Sequence, residues 1–151
     1  PRGPVWDGLG KSASGDFFLV EAKAHVAELV SRATEAKEPS LTKIKSSLEA
    51  AKAFIGAKPE IDWTTSFYQY TNRLAHLYFL RQLNNVPAYL VLIYFIGDDD
   101  MNGPKSKDEW SSAILLQESF LGVRRHRLSD YIIHAFFDVG DIQATISPTT
   151  N

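Results

Sequence analysis

Apolar residues recur along the 151-residue chain in two rhythms, and the switches between them divide it into elements. Val5 to Gly10 and Phe17 to His25 read as extended stretches around Lys11–Asp16, a run of turn formers. That arrangement predicts a β-hairpin. Phe17 to Val20 is continuously apolar, the pattern of a strand covered on both faces. Val26, Leu29, Val30 and Ala33 then recur at helical spacing and predict a short helix ended by Pro39. Ser40 is a good N-cap for a second helix, whose apolar face is Leu41, Ile44, Leu48, Ala51 and Ile55, closed by Gly56 and Pro59. Thr65 to Asn84 reads as the longest helix, with Phe67, Tyr70, Leu74, Leu77 and Tyr78 as its core stripe. Ala88 to Ile96 is a second buried strand, rich in Val, Ile, Tyr and Phe. Ser106 and Glu109 form a capping-box pair before Trp110, Ala113, Ile114, Gln117 and Leu121, and Gly122 ends that helix. Tyr131 to Val139 is the last strand, and Thr145 to Asn151 reads as a frayed tail.

Strands that alternate with helices in this way predict an α/β or α+β domain with a mixed sheet and packed helices. Neither an internal repeat nor a second domain is visible, so residues 1–151 read as one unit. The chain has no cysteine, which excludes disulfides, thiolate catalysis and cysteine-ligated metals. Any metal site must use oxygen and nitrogen donors. The apolar run Ala88–Ile96 is about half of what a spanning helix needs, so no membrane partner is expected. A net charge of −2 shows no overall basic excess, but the charges segregate. Lysines crowd residues 37–58, and Arg124 to Arg127 is a compact basic turn. The sequence begins Pro1-Arg2-Gly3 rather than with Met, which reads as a trimmed fragment.

The densest chemistry lies on the hairpin. Asp7 stands on its first strand, and Glu21 and Lys23 share one face of the second. Residues opposed on paired strands approach within roughly 5 Å, so two carboxylates and a lysine can converge. Paired carboxylates suit Mg²⁺, and a neighbouring lysine can position a water or stabilise a developing oxyanion. The plain alternative is a hairpin with two surface acids and a solvated lysine. Asp98-Asp99-Asp100 reads as a loop, because consecutive residues point apart and no calcium-loop pattern follows. Lys43, Lys45 and Lys52 read as the wet face of their helix. Trp6, Trp63 and Trp110 read as core or core-edge packing.

Asp7, thirteen spacer residues, then Glu21-Ala22-Lys23 after an apolar strand resembles the PD-(D/E)XK nuclease superfamily. It is similar in particular to uncharacterised bacterial members that carry Trp-Asp, Val-Glu-Ala-Lys-Ala-His and Asp-Met-Asn-Gly-Pro segments. Those segments stand here as Trp6-Asp7, Val20–His25 and Asp100–Pro104. The resemblance implies a restriction-endonuclease-like core in which Asp7, Glu21 and the carbonyl of Ala22 bind Mg²⁺ or Mn²⁺ and Lys23 is catalytic. It implies phosphodiester hydrolysis on nucleic acid, DNA foremost, by a cytoplasmic protein for which a homodimer is open. Two departures stand out. Val5-Trp6 replaces the proline of the family motif, and the first helix of the family core is not visible before Val5.

Gln69, Asn72, Arg73 and His76 share one face of the long helix, and Arg73 stands where some exonuclease-like members carry a tyrosine four residues after glutamine. On this reading that face contacts the scissile phosphate or orients the metal ligands. Otherwise it is an ordinary solvent-facing helix side. His25 is a further candidate for substrate binding or a structural strand-end histidine. Arg124 and Arg125 are candidates to clamp nucleic-acid backbone or form a solvated turn. The rival to an enzyme is a catalytically inactive nucleic-acid-binding or protein-interaction module on the same fold.

Overall fold

The computed structural model describes residues 4–146. Its sheet begins with the expected hairpin. Strand β1 (Gly8–Lys11) pairs antiparallel with β2 (Phe17–Lys23), Gly8 opposite Val20 and Lys11 opposite Phe17. The turn is closed by the Ser12 N–H donating to the Asp16 carbonyl at 2.9 Å. The hydroxyls of Ser14 and Ser12 donate to the Asp16 carboxylate and hold it below the ordinary carboxylate range.

The segment after β2 is less helical than its spacing predicts. Only a 3₁₀ turn forms, over Val26–Leu29. The Thr34 N–H donates to the Thr64 carbonyl, fixing the irregular stretch beyond it. Helix α1 (Ser40–Ile55) follows, with Pro39 rather than Ser40 at the N-cap, so the serine hydroxyl caps nothing. Gly56 ends it at φ 79°, the left-handed conformation that glycine adopts without steric cost. Helix α2 (Tyr68–Tyr78) starts three residues later than expected, because Phe67 itself is left-handed at φ 63°. A π-helical turn over Phe79–Leu83 prolongs it, so α1 rather than the Thr65–Asn84 segment holds the longest α-helix. Strand β3 (Ala88–Ile96) matches its expected bounds. Helix α3 (Lys107–Leu121) starts where the capping box places it, with the Glu109 N–H donating to the Ser106 hydroxyl. The chain then forms β4 (Ile132–Asp138) and α4 (Val139–Ile146). The expected frayed tail lies outside the described residues except for its first two, which belong to α4.

The fold is α+β, with a four-stranded mixed sheet in the order β1-β2-β3-β4. The pairs β2–β3 and β3–β4 are parallel. Each parallel pair is joined by a helical connection, and both connections step in the same direction across the sheet. Right-handed crossovers then place all their helices on one face. Burial follows that rule. Leu19, Ala88, Leu90, Leu92 and Tyr94 are buried together with Leu48 and Ala51 of α1, Leu74 and Leu77 of α2 and Trp110 of α3. The alternate residues Val20, Val91 and Ile93 are only half-buried. The expectation of strands buried on both faces is therefore corrected to one buried face. Trp63 and Trp110 are fully buried and Trp6 half-buried, as core and core-edge residues. Lys52 departs from the wet-face reading. It is buried, pairs with Glu49 at 2.6 Å and lies over the Trp63 ring. Among the described residues, no helix is long and apolar enough to cross a membrane.

Candidate functional site

The hairpin register brings Asp7 opposite Glu21. The Asp7 N–H donates to the Val20 carbonyl, which carries the pairing one residue beyond β1. The Asp7 carboxylate accepts from the Ala22 N–H at 2.8 Å and is otherwise exposed. Glu21 and Lys23 fall on the buried face of β2, opposite Leu92 and Tyr94 of β3. They sit at the carboxyl end of a parallel strand, the edge where open α/β sheets gather their ligand sites.

Glu21 is only 4% exposed, and its carboxylate is fully engaged. Oε1 accepts from Lys23 Nζ at 2.5 Å and from Gln69 Nε2 at 2.7 Å. Oε2 accepts from Arg73 Nε at 2.9 Å and Nη2 at 2.8 Å. Gln69 closes the network by accepting from Lys23 Nζ through Oε1 at 2.9 Å. A buried carboxylate without partners is costly, and here two cations and an amide compensate it. Arg73 is itself 5% exposed. It also donates to the Val5 carbonyl and lies 4.3 Å above the Trp6 ring, so it ties the chain before β1 to α2 and β2.

These groups border an open cleft of about 710 Å³. Asp7, Glu21, Ala22 and Lys23 form its floor, and Gln69, Asn72 and Arg73 line one wall. The two motifs read from the sequence, the hairpin carboxylates and the polar helix face, thus meet in one place. The spacing Gln69-x-x-x-Arg73 allows this, because residues four apart on a helix point the same way. His76, one turn further, misses the cleft and lines an adjoining groove. Burial, reinforced by the Arg73 charge, holds its pKa below the ordinary histidine value.

Three further expected substrate contacts, besides His76, lie elsewhere. His25 does not line the cleft, and its ring pairs with Glu28 at 3.4 Å. Arg124 and Arg125 are exposed in the turn after α3, away from the cleft, with the Glu118 carboxylate in the field of Arg124. That turn leads into the amino end of β4, whereas the cleft lies at the carboxyl end of β2, and because β2, β3 and β4 run parallel the two stand at opposite edges of the sheet. The Asp98 loop is a structural turn. Asp98 accepts from the Met101 N–H, and Asp99 pairs with Lys105, which keeps the Asp99 carboxyl below its usual range.

The cleft also holds Glu28, Ser31, Arg32 and Tyr68, which the sequence did not single out. Ser31 has a clear role, because its hydroxyl accepts from the Gln69 N–H at 2.7 Å and so fixes the first turn of α2. Glu28 holds the end of β2 by accepting from the Ala24 N–H at 2.9 Å. No periodic signal marks Glu28, Ser31 and Arg32, which arrive in the chain between β2 and α1, while Tyr68 opens α2.

The donor chemistry is that of a hard divalent cation. Two carboxylates stand at opposed positions, with the main chain of Ala22 beside them. Among the described residues, no three His, Cys, Asp or Glu side chains gather closely enough to hold an ion between them. An ion held here would rely on Asp7, Glu21 and a carbonyl and take its remaining ligands from water, a donor set of the kind Mg²⁺ accepts. The group fits in kind, but at Glu21 it competes with Lys23 and Arg73. Comparison of the chain with protein-family models, with curated proteins and with solved structures gives no match.

Proposed function

We propose that this chain is a metal-dependent nuclease that hydrolyses phosphodiester bonds, with DNA as its first candidate substrate, on a restriction-endonuclease-like core. The observation that carries the reading is the meeting of Asp7, Glu21 and Lys23 at one open cleft. Support also comes from the order of elements. An acidic hairpin is followed by helical connections and parallel strands, as the resemblance implies.

Asp7, Glu21 and the carbonyl of Ala22 are the groups that would hold Mg²⁺ or Mn²⁺. When bound, the ion supplies Lewis-acid stabilisation of the phosphoryl oxygens and a water of lowered pKa. The chain's own groups do the remaining work. Lys23 presents a cation to the attacking water or to the charge developing on the phosphate. Gln69 holds Lys23 and Glu21 in fixed relation by bonding both. Arg73 anchors Glu21 by converging Nε and Nη2 on its Oε2, a paired-donor geometry that guanidinium provides and ammonium does not. Asn72 stands on the same wall and offers an amide to a phosphate oxygen.

The test is cleavage of mixed linear DNA by the purified chain with Mg²⁺ or Mn²⁺, against Lys23→Ala. The expected loss is at least about a hundredfold, the scale of a positioned proton-transfer or electrostatic group. Equal cleavage by both proteins contradicts the assignment. One observation favours a second reading, an inactive nucleic-acid-binding or interaction module. Both Glu21 oxygens are already satisfied by Lys23, Gln69 and Arg73. That reading predicts no cleavage by either protein and no heat on titration with millimolar Mg²⁺.

A further inference from the structure

A second groove opens beside the cleft, between α1 and α2, with a volume of about 620 Å³. The two cavities share Tyr68 and Asn72, so one leads into the other. The walls of the second are built differently. Ile44, Phe79 and Leu83 give it an apolar base, His76 a polar edge and Lys43 a cation at the rim. Phe79 is 50% exposed, and Leu83 is 59% exposed. A file of rings leads from the Glu21 network into this groove. Arg73 covers Trp6, Trp6 meets His76 edge-on at 6.0 Å, and His76 meets Phe79 at 6.4 Å.

Charge decides what such a surface takes. None of the described residues that line the groove is acidic, and Lys43 is the one lysine or arginine among them. Glu49 of α1 is not in the lining and pairs with Lys52, Arg73 is committed to Glu21, and Arg81 to the Ala88 carbonyl and the Tyr131 ring. A protein of net charge −2 therefore presents an acid-free lining with a single cation at its rim in this groove. Cationic rims around exposed aromatic faces are the arrangement that binds single-stranded nucleic acid, where phosphates follow the positive edge and bases stack on rings. A duplex cannot use it, because its base faces are already stacked within the helix.

We infer that this groove takes an unpaired stretch of the nucleic acid strand as it leaves the cleft, with a base stacked on Phe79 and backbone phosphate at Lys43. The inference rests on the phosphodiesterase reading and adds a substrate class to it, a single strand or a frayed end rather than an intact duplex. His76, whose pKa burial and the Arg73 charge hold below the ordinary histidine value, lines the groove with a ring edge able to hydrogen-bond a base.

The experiment measures binding rather than cleavage. Fluorescence anisotropy of labelled oligothymidylate, and of a blunt duplex of the same length, is recorded in EDTA with the full chain, Phe79→Ala and Lys43→Ala. Both residues are exposed enough that truncation leaves the core intact. The wild type binds the single strand more tightly than the duplex. Phe79→Ala weakens the single strand roughly tenfold, the scale of one lost base–ring stack, and leaves the duplex unchanged. Lys43→Ala lowers the slope of log affinity against log salt by about 0.7, one phosphate contact on a single strand. The inference is overturned if the oligothymidylate does not bind, if the duplex binds more tightly, or if both variants bind like the wild type, as they would were the groove a seat for a protein segment. The two readings separate, because metal-dependent cleavage that survives in a chain with no Phe79 dependence removes only this inference.

Discussion

Arg73 is the residue on which the site's stability turns. It places two donors on one oxygen of a carboxylate that is 4% exposed, and it packs over Trp6. Removing one partner of a buried pair leaves the other charge uncompensated, a loss of about 3 kcal/mol. Arg73→Ala should therefore lower the unfolding free energy by that amount in urea titration, and an unchanged midpoint contradicts the pairing. A second residue gives the pH response. The His126 ring accepts the Leu128 N–H at Nδ1, and burial lowers its pKa. The folded chain thus takes this proton at lower pH than the unfolded chain. The stability is complete above the ordinary histidine value of about 6.5 and is lost as pH falls below it. His76 and His134, also lowered by burial, act in the same direction, while Glu118, raised by burial, acts oppositely. The thermal midpoint should fall less between about pH 7.5 and 5.5 in His126→Asn than in the wild type; an equal fall contradicts the assignment. At this scale the cluster around Glu21 was legible, whereas His25, His76, Arg124 and Arg125 lie off the cleft. Strand alternation places Glu21 and Lys23 on one face, and helical spacing groups Gln69 with Asn72 and Arg73. Ser31 and Glu28 were not legible, because irregular chain delivers them and leaves no period to read.

At the scale of elements, the bounds of β3 and the start of α3 follow from local chemistry, a β-branched and aromatic run in one case and a serine cap in the other. The start of α2 does not. It depends on Phe67 adopting a left-handed conformation and on Ser31 reaching the first turn, both set by tertiary contacts. The loop between β3 and α3 shows how elements meet at the site. Gly103 donates its N–H to the Asp98 carbonyl, and a Cβ there would overlap the carbonyl oxygen of Ala24, the residue after Lys23. The loop needs glycine for close approach rather than for backbone conformation. Gly103→Ala should cost about 1–3 kcal/mol as overpacking. It should also displace the end of β2, lowering activity along with the thermal midpoint. A variant with unchanged midpoint removes that contact from the account.

At the scale of the molecule, strand order fixes what the sequence left open. Parallel strands that step in one direction carry their helices on one face, so apolar runs that looked doubly covered are covered once. The same order sets the carboxyl end of β2 beside α2, which is why two motifs about fifty residues apart share one cleft. The charge segregation seen in the sequence is sharpened as well. The Arg124 turn lies off the cleft, and the lysine-bearing groove between α1 and α2 adjoins it instead. The central claim is that Asp7 and Glu21 serve one divalent cation in phosphodiester hydrolysis. Asp7→Asn tests it most cleanly, since Asp7 is exposed and asparagine keeps an acceptor for the Ala22 N–H. The measurement is the Mn²⁺-dependent cleavage rate of DNA by this variant beside the wild type. The account predicts cleavage by the wild type and a loss of at least about a hundredfold in the variant, with the fold unchanged; equal rates, or a wild type that does not cleave, contradict it.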